Sequence, residues 1–194
     1  LLVTFGMSII IQNLLMEIFS ADSQKLSAGE LETASLMLGQ DLTIGMMPLL
    51  VFLMGVGIIA ALQYLFSKTP LGRAFRATSD DQDTACLMGV SNQHIFALAM
   101  AIAMAVVAVA GVLLAMRTNF DPTIGPSRLL FGFEAVIIGG LGSLWGTLAG
   151  GVILGEAQAV GAAIDPGWQI LAGHLVFLLI LVLRPRGLFP KGGN

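Results

Sequence analysis

Long apolar stretches, separated by short polar ones, run the length of this 194-residue chain. Leu1 to Phe19 is apolar but for Gln12, Asn13 and Glu17, and Ile44 to Phe66 is apolar nearly throughout. Ile95 to Met116 follows, rich in Ala and Met, and Leu175 to Leu183, extended back to Trp168, precedes Arg184-Pro185-Arg186. Runs this long exceed what a soluble core helix needs and match the thickness of a bilayer core. They predict an all-α, polytopic transmembrane helical bundle. Pro70 ends the second run, because the residue before a proline is pushed away from helical backbone, and Asn92 is placed to cap the third.

Between the second and third runs lies a polar island holding Arg73, Arg76, Asp80, Asp81 and Asp83. Ser79 with Gln82 three residues on has the spacing of a capping box. The aspartates fall in the first turns, where the helix dipole favours negative charge, and Gly89 is placed for a left-handed stop. The island therefore predicts one short capped helix outside the lipid, with Leu87 and Met88 exposed on it. A polar loop from Ala21 to Asp41, carrying Asp22, Glu30, Glu32 and Asp41 against Lys25, separates the first two runs.

A glycine-rich stretch, Gly139-Gly140-Leu141-Gly142-Ser143, interrupts the apolar segment Leu129 to Ala163, and Gly146, Gly150, Gly151 and Gly155 follow it. The latter form two small-xxx-small pairs, the spacing that lets helix backbones approach closely. Lys68, Arg73 and Arg76 in one loop, and Arg184, Arg186 and Lys191 in the tail, place residues 67–94 and 184–194 on the cytoplasmic side. Parity then requires Leu129 to Ala163 to enter and leave by one face, as two short spans or as a re-entrant hairpin. Irregular backbone at membrane depth survives only when it is buried in protein or lines a cavity, so Gly139, Gly140 and Gly142 are candidates for lining a translocation path. Glu134 and Glu156 flank the same hairpin, and an ionisable residue at that depth points to function. Either can meet a substrate ammonium, with Arg128 placed for a carboxylate, or can bind donors on neighbouring helices.

Composition narrows the function. Hydrophobic residues make up 56% of the chain and charged ones 11%, with a net charge of −3. No basic tract suggests nucleic acid. Cys86 is the only cysteine and reads as a small apolar residue, while His94 and His174 are too far apart in sequence to suggest a metal set. No nucleophile, base and orienter occur together, which argues against an enzyme. The chain enters an apolar run at Leu1 without a charged leader, so it is read as part of a longer membrane protein.

Several ordered motifs resemble the inner-membrane permease subunits of branched-chain amino acid ABC importers. They are Gly72 to Ala77 with Asp81, Ala85 and Gly89, then Ala110 to Leu113, Asp121 to Gly125, Gly139 to Thr147, and the ending Arg184 to Phe189. The resemblance implies that residues 1–194 are the C-terminal part of one transmembrane domain and that 67–94 is its coupling loop. It further implies that Arg73, Arg76, Asp81, Asp83, Ala85, Leu87, Met88 and Gly89 meet an ABC ATPase subunit. Asp83-Thr84-Ala85 followed by Gly89 has the spacing of the family's Glu-Ala-Ala, three residues, Gly pattern, with two substitutions, and the Leu-Pro that often closes it is absent. The implied partners are ATPase subunits that bind ATP and Mg, a second homologous permease, a periplasmic substrate-binding protein and membrane lipid. This chain has no GxxxxGK[ST] phosphate loop and is expected to hold no cofactor itself. Urea or short-amide permeases are the close alternative, and a stand-alone secondary carrier or channel the more distant one.

Overall fold

The computed structural model describes residues 2–29, 34–37 and 43–189. Glu30, Glu32, Asp41 and Lys191, which entered the charge reading, lie outside these. Two compact units divide the chain, Leu1–Pro122 and Thr123–Asn194. The first contains helix α1 (Leu2–Phe19), strands β1 (Ser35–Met37) and β2 (Thr43–Gly45), and helices α2 (Met46–Lys68), α3 (Pro70–Asp80), α4 (Gln82–Leu87) and α5 (Asn92–Arg117). The second contains α6 (Gly125–Gly139), α7 (Leu144–Ile164) and α8 (Trp168–Leu183). Among the described residues, α1, α2, α5 and α7 are long and apolar enough to cross a bilayer. The chain is a multi-pass helical membrane protein.

In the first unit the polar residues of α1 turn inward on their own helix: Asn13 Nδ2 donates to Ile9 O at 2.8 Å and Gln12 Nε2 to Ser8 Oγ at 3.5 Å. This is how an apolar helix tolerates amides. The loop after α1 is not purely irregular, since β1 and β2 pair antiparallel with Ser35 opposite Gly45. Gln24 and Phe120 exchange backbone bonds of 2.8 and 2.9 Å, and Leu26 N donates to Ala115 O at 3.0 Å. The start of the loop after α1 and the end of α5 therefore lie together, the same-face placement that the charge pattern requires of them.

The second unit is an up-down-up arrangement built on glycine. A Cβ at Gly139 would stand 2.2 Å from the carbonyl of Gly146, and one at Gly150 only 2.1 Å from Ala135 O, so α6 and α7 meet backbone to backbone. Gly161 allows α8 a similar approach, a Cβ there falling 2.7 Å from Trp168 O. Only the first small-xxx-small pair, Gly146 and Gly150, is used in this packing; Gly151 and Gly155 face open space. Ser143 caps α7, its Oγ accepting from Gly146 N at 3.0 Å, and Gly140 and Gly142 have φ of +100° and +84°. The glycine-rich break is thus the tight tip of an antiparallel hairpin. It lies beside Arg184–Phe189, because Leu188 N and Phe189 N donate to Ile138 O and Gly139 O at 2.8 and 3.0 Å.

Candidate functional site

The polar island folds as two helices, not one. Lys68 ends α2, Thr69 turns extended, and Pro70 opens α3 at the position where its missing N–H is harmless. Thr69 Oγ1 accepts from Gly72 N at 3.3 Å and donates to Leu65 O at 2.6 Å, stitching the corner. Gly72 lets α3 fold back tightly: a Cβ there would lie 2.1 Å from Phe66 O. Arg76 donates to Phe66 O, and Phe75 meets Phe66 edge to face at 5.4 Å. Arg73 is exposed on the same helix.

Asp81, rather than Ser79, is the cap of the short helix that follows. Ser79 lies inside α3, while Asp81 Oδ1 accepts from Asp83 N at 3.0 Å and Thr84 N at 3.2 Å, and Thr84 Oγ1 donates to Asp81 Oδ2 at 2.6 Å. Both serine and aspartate are good caps; the extended backbone at Asp81 decides between them. The Thr84 hydroxyl first, then the amide bonds, hold the Asp81 carboxyl below its usual 3.8. Asp83 sits in the first turn of α4, as the dipole favours.

At its other end α4 closes in a Schellman motif. Val90 N donates to Ala85 O and Gly89 N to Cys86 O, both at 3.0 Å, around Gly89 with φ +83°. Ala85 is buried, whereas Leu87 and Met88 are 87% and 81% exposed. Asn92 is not the cap of α5: its Oδ1 accepts from buried Thr78 Oγ1 at 3.3 Å and its Nδ2 donates to Gln82 O at 2.9 Å. Asn92 thereby ties the start of α5 to both α3 and α4. The product is a stiff six-residue helix presenting two bare apolar side chains beside a groove of 220 Å³ that Asp80, Asp81, Ala77 and Val90 help line.

The second cluster lies in the Thr123–Asn194 unit. Glu134 is 3% exposed on α6, and its Oε1 lies 2.5 Å from Nδ1 of His174 on α8. Phe131 stacks on the imidazole at 5.6 Å and 7°. Oε2 of Glu134 has no partner among the described residues. Glu156 is exposed on α7 and does not join this cluster, nor does Arg128, exposed on the first turn of α6. Gly139, Gly140 and Gly142 belong to the hairpin tip. The sequence marks His174 by its isolation in the sixteen-residue apolar helix α8, since an ionisable residue in such a segment needs a partner, here Glu134. Among the described residues no group of three or more His, Cys, Asp or Glu side chains gathers to hold a metal.

The chain is 34% identical to the high-affinity branched-chain amino acid transport system permease protein BraD of Pseudomonas aeruginosa, over 98% of this chain and 64% of that one. To the corresponding LivH of Escherichia coli it is 33% identical over 68% of this chain and 43% of the relative, and to LivM of the same organism 28% over 63% and 29%. The chain thus spans less than two thirds of the length of these relatives. No solved structure matches it. Residues 1–183 match the model for the permease component of branched-chain amino acid transport systems, and the chain belongs to that family.

Proposed function

We propose that this chain forms part of the membrane-spanning permease of an ATP-driven importer for branched-chain amino acids in the bacterial inner membrane, and that residues 67–94 dock onto an ATP-hydrolysing subunit. The observation that carries this reading is the pair Leu87 and Met88, 87% and 81% exposed at the end of a helix capped at both termini. A rigid helix transmits a push that a loose loop absorbs. Large apolar side chains left exposed outside lipid mark interaction sites, and Met is enriched in protein interfaces. Arg73, Arg76, Asp81, Asp83, Ala85 and Gly89 build or flank this helix, so they belong to the docking element even where, like buried Ala85, they do not touch the partner.

The names of BraD, LivH and LivM support the substrate class. Similarity to both LivH and LivM of one organism supports pairing with a second permease. ATP and Mg are assigned to the partner ATPase, and delivery of substrate to a periplasmic binding protein. Glu134, Glu156 and the hairpin glycines Gly139, Gly140 and Gly142 are proposed for the path side of this machine; the support is strongest for Glu134, buried with an unpartnered Oε2.

The decisive variant is Leu87→Asp with Met88→Asp in the full-length permease expressed with its partners. Loss of two apolar anchors at about 2 kcal/mol or more each weakens ATPase association by roughly a thousandfold. Labelled leucine uptake falls with it, while membrane insertion is unchanged. Uptake that persists without any ATPase would overturn the reading in favour of a stand-alone carrier. Uptake of urea but not leucine would overturn the substrate assignment alone.

A further inference from the structure

We propose that α6 and α8 behave as one unit, held together at two separate polar contacts, and that His174 is the positioning residue for Glu134 within it. This goes beyond the transport reading and does not depend on what is carried.

The first contact is the Glu134–His174 pair. The imidazole is fixed by two residues on one face of α6, by the 2.5 Å contact to Glu134 Oε1 and by the Phe131 ring stacked at 5.6 Å. Glu134 is 3% exposed and its Oε2 lacks any described partner, so His174 is the side chain that meets this carboxyl group among the described residues. Removing the imidazole leaves the whole carboxyl group unmet in a low-dielectric interior, where an unpaired polar group is most costly.

The second contact lies beyond the residues of the family match, which ends at 183. The last carbonyls of a helix lack intrahelical donors. Those of Ile138 and Gly139 are met by the amides of Leu188 and Phe189 at 2.8 and 3.0 Å. Gly187 makes the approach possible, since with φ +81° a Cβ there would stand 2.4 Å from Gly140 Cα and 2.7 Å from Ile137 O. The segment that follows α8 is therefore the C-terminal cap of α6, and Ile138 beneath it is fully buried.

Glu134 precedes Gly139 by five residues, about 7–8 Å along the helix axis. Both helices already pack on α7 through its glycines; the two polar contacts, at different heights, add a direct tie between them that resists sliding. The pair should then open together, so that loosening one contact loosens the other although the groups do not touch.

Hydrogen exchange on the purified full-length complex tests this. In the unaltered protein the amides of Leu188 and Phe189 exchange at least about tenfold more slowly than an unattached tail. His174→Ala speeds exchange at those two amides about tenfold, and His174→Gln, which keeps a side-chain donor, restores most of the protection. Should His174→Ala fail to fold, Phe131→Leu, which frees the imidazole without removing it, takes its place with a smaller effect of the same sign. Unprotected amides at 188 and 189 in the unaltered protein would overturn the proposal. So would protection there that ignores both substitutions, because contacts more than about 7–10 Å apart normally act independently.

Discussion

At the scale of single residues, the charged loop shows how one backbone angle reassigns a role. Ser79 and Asp81 are both capable caps, and three residues after Ser79 stands Gln82; the choice falls on Asp81 because the chain turns extended there, with φ −152° and ψ +110°. Asp81 then holds the Asp83 and Thr84 amides and the Thr84 hydroxyl, which lowers its pKa from 3.8. A carboxyl whose folded pKa is lowered contributes stability that is present above its unfolded value. That contribution is lost as pH falls below 3.8 toward the folded value. Asp81→Ala should therefore speed amide exchange across residues 83–87 at neutral pH, while Asp81→Asn, still a good cap, should keep most of the protection and lose its acid dependence. Equal protection in all three proteins would show that packing of Ala85, not the cap, holds α4.

At the scale of elements, the glycines of α7 separate what spacing alone leaves equivalent. Gly146 with Gly150 and Gly151 with Gly155 share the same four-residue interval, yet a Cβ at Gly150 would meet Ala135 O at 2.1 Å while one at Gly151 or Gly155 meets nothing within 4 Å. Backbone cannot retreat as a flexible side chain can. Gly150→Ala should thus destabilise the unit by about 1–3 kcal/mol or more, read as a lower melting temperature in detergent, whereas Gly151→Ala and Gly155→Ala should be near neutral or slightly stabilising. A melting temperature for Gly150→Ala equal to that of Gly155→Ala would contradict the packing.

The contrast also marks what was legible in the sequence. The apolar runs, the stop at Pro70 and the left-handed Gly89 follow from local chemistry and stand where expected. Which glycines face α6, and that His174 meets Glu134 forty residues away, depend on how helices rotate against one another, and no local signal encodes that rotation. Asn92 differs from the expected cap for the same reason, since its partners Thr78 and Gln82 are brought to it by the packing of α3 and α4, not by the local sequence. The fold of α3 back onto α2 likewise rests on Gly72 packing against Phe66 across the corner, whereas the division into α3 and α4 falls where the chain turns extended at Asp81.

At the scale of the whole molecule, the expected orientation follows from charge and is consistent with the internal geometry of each unit. Lys68, Arg73 and Arg76 cluster around α3, and Arg184 and Arg186 follow α8; basic residues are retained on the cytoplasmic side during insertion, so both groups are expected there. Within the first unit, the bonds joining Gln24 to Phe120 and Leu26 to Ala115 set the loop after α1 and the end of α5 together, as one external face demands. Within the second, the hairpin tip lies with Arg184–Phe189 and the short link Asp165–Gly167 lies at the opposite end. Residues 67–94 and 184–194 should then be shielded in intact cells, and 20–43, 117–128 and 162–169 exposed outside. In a Cys86→Ser background, a membrane-impermeant maleimide should reach Asn119→Cys without lysis and Ser79→Cys only after it. Both positions are exposed on the protein surface, so burial does not explain a difference between them. Labelling of Ser79→Cys in intact cells would invert the orientation, and with it the side from which an ATPase could meet Leu87 and Met88.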